Sequence, residues 1–149
     1  MKSKPVPIFV PPLKSNSQGG TTVRITSKQM DGAYCVCEMT TLPGDGVSRH
    51  VHDRDDEFYY VLEGAYEFQA GDERFTAGVG SMVMIPRDVP HQFHNAGNAP
   101  ARALMIFHPG GFDELCGEMR EAAAAGSLDK DHRHSILTKW GVHFDDESR

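Results

Sequence analysis

Long apolar runs are missing from this chain of 149 residues. No stretch approaches the roughly 18 apolar residues that a membrane-spanning helix requires. The basic opening, MKSKPVPIFVPPLK, holds only Ile8 to Val10 as an apolar piece, set between prolines, and so does not read as a signal peptide. Positive charge is short as well: 15 Lys and Arg against 21 Asp and Glu leave a formal net charge of −6. That balance speaks against a general role on nucleic acid or on an anionic membrane surface. Cysteine is scarce and odd in number, with Cys35, Cys37 and Cys116. No disulfide framework follows from that count. In a strand, Cys35 and Cys37 would point the same way and act as small hydrophobes. With no signal segment, a cytoplasmic location is expected.

What remains is an ordinary globular composition, 39% hydrophobic and 24% charged, long enough for one domain with its own core. Residues 1–20 are rich in Pro, Ser, Lys and Gly and read as an extended arm. β-branched Thr21 to Lys28 and then Ala33 to Leu42 read as strands, closed by Pro43-Gly44 and Asp45-Gly46. Val47 to His52 is a short strand and DRDDE a tight acidic loop. Phe58 to Leu62 is apolar throughout, the pattern of a strand buried on both faces. Ala65 to Ala70 and Glu73 to Ala77 flank Gly71-Asp72 as a hairpin. Ser81 to Ile85, His91 to His94 and Ala101 to His108 complete the strands, with Pro86 to Pro90 as a loop.

After Gly111 the period changes. Phe112, Leu115, Cys116 and Met119 recur at helical spacing, and Gly126 ends that helix. A second short helix is expected over His132 to Lys139, with Val142 and Phe144 anchoring the tail. Many short strands followed by helices only at the end predict an all-β barrel or sandwich (21–108) with a short C-terminal helical appendix (109–149).

The chemistry concentrates in two stretches. In GDGVSRHVHDRDDEFYYVLEG, Gly44 to Gly64, strand period puts His50 and His52 on one face, and Glu57 follows one turn later, where the next strand can run back beside the first. In GSMVMIPRDVPHQFHN, Gly80 to Asn95, His91 opens a strand. Three imidazole nitrogens and a carboxylate oxygen suit Mn, Fe, Co, Ni, Cu or Zn. Asp53, Asp55 and Asp56 are nearby competitors for the carboxylate place. His132 and His134 form a second H-x-H, read as solvated helix surface.

These stretches resemble the two motifs of the cupin superfamily. The first is G-x5-H-x-H-x(3,4)-E-x6-G, met by Gly44, His50, His52, Glu57 and Gly64. The second is G-x5-P-x-G-x2-H-x3-N, met by Gly80, Pro86, His91 and Asn95, with Asp88 where the motif has glycine. Asp tolerates the left-handed turn conformation better than most residues, so the loop is expected to survive.

The resemblance implies a cupin-type jelly-roll β-barrel holding one divalent transition metal ion on His50, His52, Glu57 and His91. It also implies a small-molecule ligand and a homodimer, formed through sheet faces or through the arm. The single domain with a helical tail is similar to small bacterial proteins grouped with quercetin 2,3-dioxygenases. That likeness implies a dioxygenase acting on a hydroxylated aromatic, with Glu57 as catalytic base. Cupins also include non-catalytic binders and metal-dependent isomerases.

Strand parity then sends Tyr59, Val61 and Phe93 inward with the ligands. Met82 and Met84, or else Val83 and Ile85, share the wall, as do Met105 and Phe107, or else Leu104 and Ile106. The expected substrate pocket is apolar and aromatic, lined by Tyr59, Phe93, Met105 and Phe107. The competing reading is that small barrels fill their interiors with such side chains. Parity turns His94 outward, and Asn95 reads as a turn residue.

Overall fold

Alternation with period two decides most of this chain. A computed structural model describes residues 6–14 and 18–145. In it the strands are β1 Gly20–Ile25, β2 Cys35–Thr41, β3 Gly46–His52, β4 Asp56–Glu63, β5 Ala65–Ala70, β6 Glu73–Gly78, β7 Met82–Ile85, β8 His91–His94 and β9 Ala101–His108. Two helices, α1 Phe112–Ala124 and α2 Lys130–Lys139, and a last strand, β10 Val142–Phe144, follow. The arm is described only in part, because residues 1–5 and 15–17 lie outside the described residues, as do 146–149.

The strands form two antiparallel five-stranded sheets. The first runs β1-β2-β9-β4-β7 and the second β10-β3-β8-β5-β6. Their inner faces meet in one core. Cys35, Cys37, Tyr59, Val61, Met105 and Phe107 come from the first sheet, and Tyr66, Phe68 and Phe93 from the second. Edge-to-face ring pairs bridge the sheets, Tyr59 to Phe68 at 5.2 Å and Tyr59 to Phe93 at 5.7 Å. Such pairs contribute about 0.5–1.5 kcal/mol each beyond the area they bury. Cys35 and Cys37 are free thiols in this core, as small hydrophobes.

Three expectations need correction. Phe58 to Leu62 is not buried on both faces. Tyr59 and Val61 are buried, whereas Phe58 and Leu62 are half-buried and Tyr60 is exposed. A two-sheet barrel covers each strand on one side only, and here the outer side is nevertheless apolar. Nor does β4 run beside β3: the turn at residues 53–55 carries the chain across to the opposite sheet. The tail is also more than an anchor. Val142–Phe144 adds a strand to the second sheet, antiparallel to β3, with Val142 opposite His52 and Phe144 opposite His50.

The open choices of parity are settled by register. Glu57 pairs with Ile85 and Phe107, and Tyr59 with Val83 and Met105. Val83, Ile85, Met105 and Phe107 therefore face inward, and Met82 and Met84 face out.

The helical appendix has an apolar cluster of its own, Leu115, Ala122, Ile136 and Val142, against which Phe112, Trp140 and Phe144 pack. Asp129 caps α2 by accepting from the His132 amide at 2.8 Å, which starts the helix two residues earlier than expected. Asp113, in the first turn of α1, accepts from the Ser27 amide at 3.0 Å and from its hydroxyl, tying the appendix to the barrel.

Candidate metal centre

Four side chains from three strands and both sheets converge. His50 and His52 sit two apart on β3, so the pleat points both rings inward. His91 opens β8, the neighbour of β3, directly opposite His50 in register. Glu57 reaches across from β4 of the other sheet. One ligand atom from each of the four lies within 4.8 Å of the others, and all four residues are buried. The loop that delivers His91 turns at Asp88, whose φ of 66° is left-handed. Its amide donates to the His52 carbonyl at 2.7 Å. The aspartate in the glycine position therefore adopts the conformation the turn requires.

The hydrogen bonds behind the rings decide which nitrogen faces the centre. His50 Nδ1 donates to the Ser48 carbonyl at 2.8 Å, His91 Nδ1 to the Val89 carbonyl at 2.9 Å, and His52 Nδ1 to Asp55 Oδ2 at 2.8 Å. These oxygens have no proton to give, so Nδ1 carries the hydrogen in each ring and Nε2 is left as the donor atom toward the centre. This is how metal-ligating histidines are ordinarily held.

Glu57 meets them from the front. Its Oε1 lies 3.0 Å from His52 Nε2, its Oε2 lies 2.9 Å from His91 Nε2, and Tyr59 donates its hydroxyl to Oε2 at 2.6 Å. Although His91 Nε2 is close to Oε2, it is fully buried and not aligned for a hydrogen bond. A buried ring nitrogen with no aligned proton partner suits a metal ligand, and three nitrogens with one oxygen suit a divalent transition ion. The residues present therefore fit the metal that the sequence implies.

The electrostatics of the metal-free cluster follow from the same contacts. Burial opposes the charged form of Glu57, yet His52 and His91 hold its carboxyl well below the usual range. Burial also opposes the His52 imidazolium. Glu57 and the Asp55 hydrogen bond outweigh it and raise that ring to about 10. His50 has no such support: burial, then the neighbouring His91, push it down to about 4. Burial and the Glu57 charge keep Tyr59 protonated, as its role of donor requires.

Tyr59, Phe93, Met105 and Phe107 are all buried in the core cluster. They pack around the centre and line neither the cavity around Phe75 and Gln92 nor the one beside Trp140. Asp53 and Asp56 lie elsewhere, Asp53 bound to His143 at 2.8 Å and Asp56 paired with Arg87 at 3.1 Å. Asn95 is more than a turn residue. Fully buried, it donates to the Thr41 and Ala99 carbonyls and accepts from the Gly97 amide, locking three loop segments. His94 faces out beside Glu67.

Sequence reasoning missed three contributors. Asp55, weighed only as a rival ligand, instead orients His52. Its place three residues after a ligand was the available signal. Phe144 stacks on His50 at 5.1 Å, and Phe112 stacks on Phe107 at 3.8 Å and lies 6.3 Å from His52. Both come from the appendix, beyond either motif, where no spacing announces them.

Comparison with known proteins agrees with this geometry. Residues 37–107 match the cupin domain family, and the barrel is a cupin fold, two antiparallel sheets followed by two short helices. Polyketide synthase CurC of Streptomyces cyaneus is 41% identical over 66 residues, 44% of this chain and 42% of its own length. Tetracenomycin polyketide synthase protein TcmJ of Streptomyces glaucescens is 27% identical over 97 residues, 64% of this chain and 65% of its own. The chain thus spans 42% and 65% of the length of these two relatives. Among solved structures, TT1209 from Thermus thermophilus superposes with a TM-score of 0.57 at 26% identity, covering 65% of this chain and 90% of that one.

Proposed function

We propose that this protein is a metal-dependent cupin enzyme that oxidises a hydroxylated aromatic small molecule with dioxygen. The carrying observation is the convergence of three Nε2 atoms and the Glu57 carboxylate, with each imidazole held from behind by an oxygen. His50, His52, Glu57 and His91 would hold the ion, which would supply a Lewis acid for a substrate hydroxyl and a template for the two reactants. In this reading the Glu57 carboxylate, buried among the three imidazoles, is the group placed to accept the hydroxyl proton. Tyr59 holds it in place, donating to the oxygen that also faces His91. Tyr59, Phe93, Met105 and Phe107 give the centre apolar and aromatic surroundings. The relatives CurC and TcmJ are both polyketide synthase proteins, which supports a substrate of polyketide type.

Oxygen uptake tests this reading. Protein reconstituted with Mn, Fe, Co, Ni or Cu is offered a panel of catechols, flavonols and polycyclic phenols. Consumption of one dioxygen per substrate is expected. Uptake by none of the metal forms would sink the reaction while leaving the metal site standing.

One observation favours a second reading, a non-catalytic ligand- or metal-binding cupin. All four ligands are at most 4% exposed, and aromatic side chains fill the interior beside them. A sensor or storage protein needs no substrate path. Ligand binding without turnover across the panel would support it.

We also propose a homodimer. Register lines up Val36, Ile106, Phe58 and Met84 in one row on the outer face of the first sheet, and Leu104, Tyr60 and Met82 in the next. Met82 is 75% exposed and Phe9, on the arm, 87%. An apolar face of this extent is what a second copy of the same sheet would cover.

A further inference from the structure

The appendix and the barrel form a cavity of about 130 Å³ beside the turn between His52 and Glu57. Seven of its nine lining residues lie beyond the segment matched to the cupin family. Phe112, Leu115, Trp140 and Val142 make its apolar walls, and Arg54 and Asp55 are its charged members. Phe112 belongs to both apolar clusters, that of the barrel and that of the appendix. It lines the cavity, stacks on Phe107 at 3.8 Å and lies 6.3 Å from His52. An apolar cavity of roughly 150 Å³ accepts benzene; at about 130 Å³ this one is slightly smaller, near the size of a single six-membered ring and too small for a fused pair. Of the charged lining residues, Asp55 is the one in contact with the metal centre. Asp55 accepts from His52 Nδ1 through Oδ2, which leaves its second carboxylate oxygen outside that bond.

We propose that this cavity is a binding site for a single phenolic ring, seated among Phe112, Leu115, Trp140 and Val142, with its hydroxyl donating to Asp55. The site is separate from the barrel interior. Binding there requires no metal, and only its influence on the centre rests on the function proposed above. That influence runs through one side chain: a hydroxyl on Asp55 shares the carboxylate that orients His52. Occupancy of the cavity would thus be felt at the metal without the ligand touching it.

Trp140 is the one tryptophan of the chain, so its emission reports on this cavity alone. The full-length protein, metal-free and again loaded with cobalt(II), is titrated with para-fluorophenol and with fluorobenzene, followed by Trp140 emission and by fluorine NMR of the probe. Saturable binding is expected in both forms, with para-fluorophenol preferred by about tenfold for its added hydrogen bond to a charged acceptor. In the cobalt form the visible spectrum should shift as the site fills. Asp55→Asn should bind the two probes more nearly alike. Val142→Phe and Leu115→Phe, which fill the cavity from different walls, should lose binding while still unfolding cooperatively. If both enlarged variants unfold, the probe preference of Asp55→Asn decides. No saturable binding, or wild-type affinity in a folded enlarged variant, overturns the proposal. Failure to take up cobalt would instead overturn the metal reading and leave the metal-free titration to judge the cavity.

Discussion

His52 Nδ1 donates to Asp55 Oδ2 at 2.8 Å, and both side chains are buried. This bond fixes the ring so that Nε2 meets Glu57, and it places a second carboxylate behind the ligand set. Partners of this kind raise ligand basicity, and losing them typically weakens metal affinity roughly 10–100-fold. Asp55→Ala should do so here, measured by competition with a chelator, while His50 and His91 still hold the ion. Unchanged affinity would reduce Asp55 to a packing residue.

The pH dependence of metal uptake follows from the same residues. In the metal-free protein His52 is raised from 6.5 to about 10, so near neutral pH its ring is charged. An ion must displace that proton. Uptake near neutral pH should therefore release one proton per ion from His52, and affinity should rise by about tenfold per pH unit until His52 titrates. His50, pushed down to about 4, does not compete there. Calorimetry in buffers of different ionisation enthalpy measures the release, and a value of zero would contradict this assignment.

Stability of the metal-free protein should run the other way. A group whose folded pKa is raised stabilises the fold fully below its unfolded value and loses that contribution as pH rises through the folded one. For His52 the window runs from about 6.5 to about 10. Metal-free protein should lose thermal stability across it, and metal-loaded protein should not. Melting curves of the two forms at several pH values test the difference.

Glu57→Gln separates holding from proton transfer. It keeps the size of the side chain and removes its charge. We expect weakened metal affinity and loss of turnover even at saturating metal. Full turnover with metal retained would exclude Glu57 as base.

Gly46 offers a test of the scaffold. A Cβ there would lie 2.1 Å from the Phe93 carbonyl and 2.7 Å from His94 Cα. Gly46→Ala must push β3 off β8, the pair that carries three of the four ligands. Overpacking of this kind costs about 1–3 kcal/mol, and both melting temperature and metal affinity should fall. An unchanged melting curve would show that the two strands yield freely.

The proposed dimer predicts that Met82→Glu with Met84→Glu, both on the exposed outer face, lowers the mass in solution to that of one chain without loss of the metal. A wild-type protein already of single-chain mass would remove the dimer.

Much of this protein was legible because strand geometry is local. Two residues apart means one face, so His50 with His52, and Tyr59 with Val61, could be assigned from the chain alone. Glycine, proline and aspartate turns bounded the strands, and Ala101 to His108 needed no adjustment. Motif spacing joined His91 to the set although it lies 39 positions after His52. Other choices stayed open because alternation fixes relative facing and not the absolute side. Only pairing of β4 with β7 and β9 decided for Val83 and Ile85 over Met82 and Met84.

The sequence by itself determined the four candidate ligands, the all-β barrel or sandwich and the two terminal helices, since these rest on period, turn chemistry and motif spacing. Tertiary structure alone decided that Asp55 stands behind His52, that Glu57 faces the histidines from the opposite sheet, and that Phe112 and Phe144 return from the appendix to cover them. The physical reason is distance along the chain. Local rules act over a few residues, whereas the contact of Phe144 with His50 spans 94 positions and exists only because β10 finds the free edge of β3.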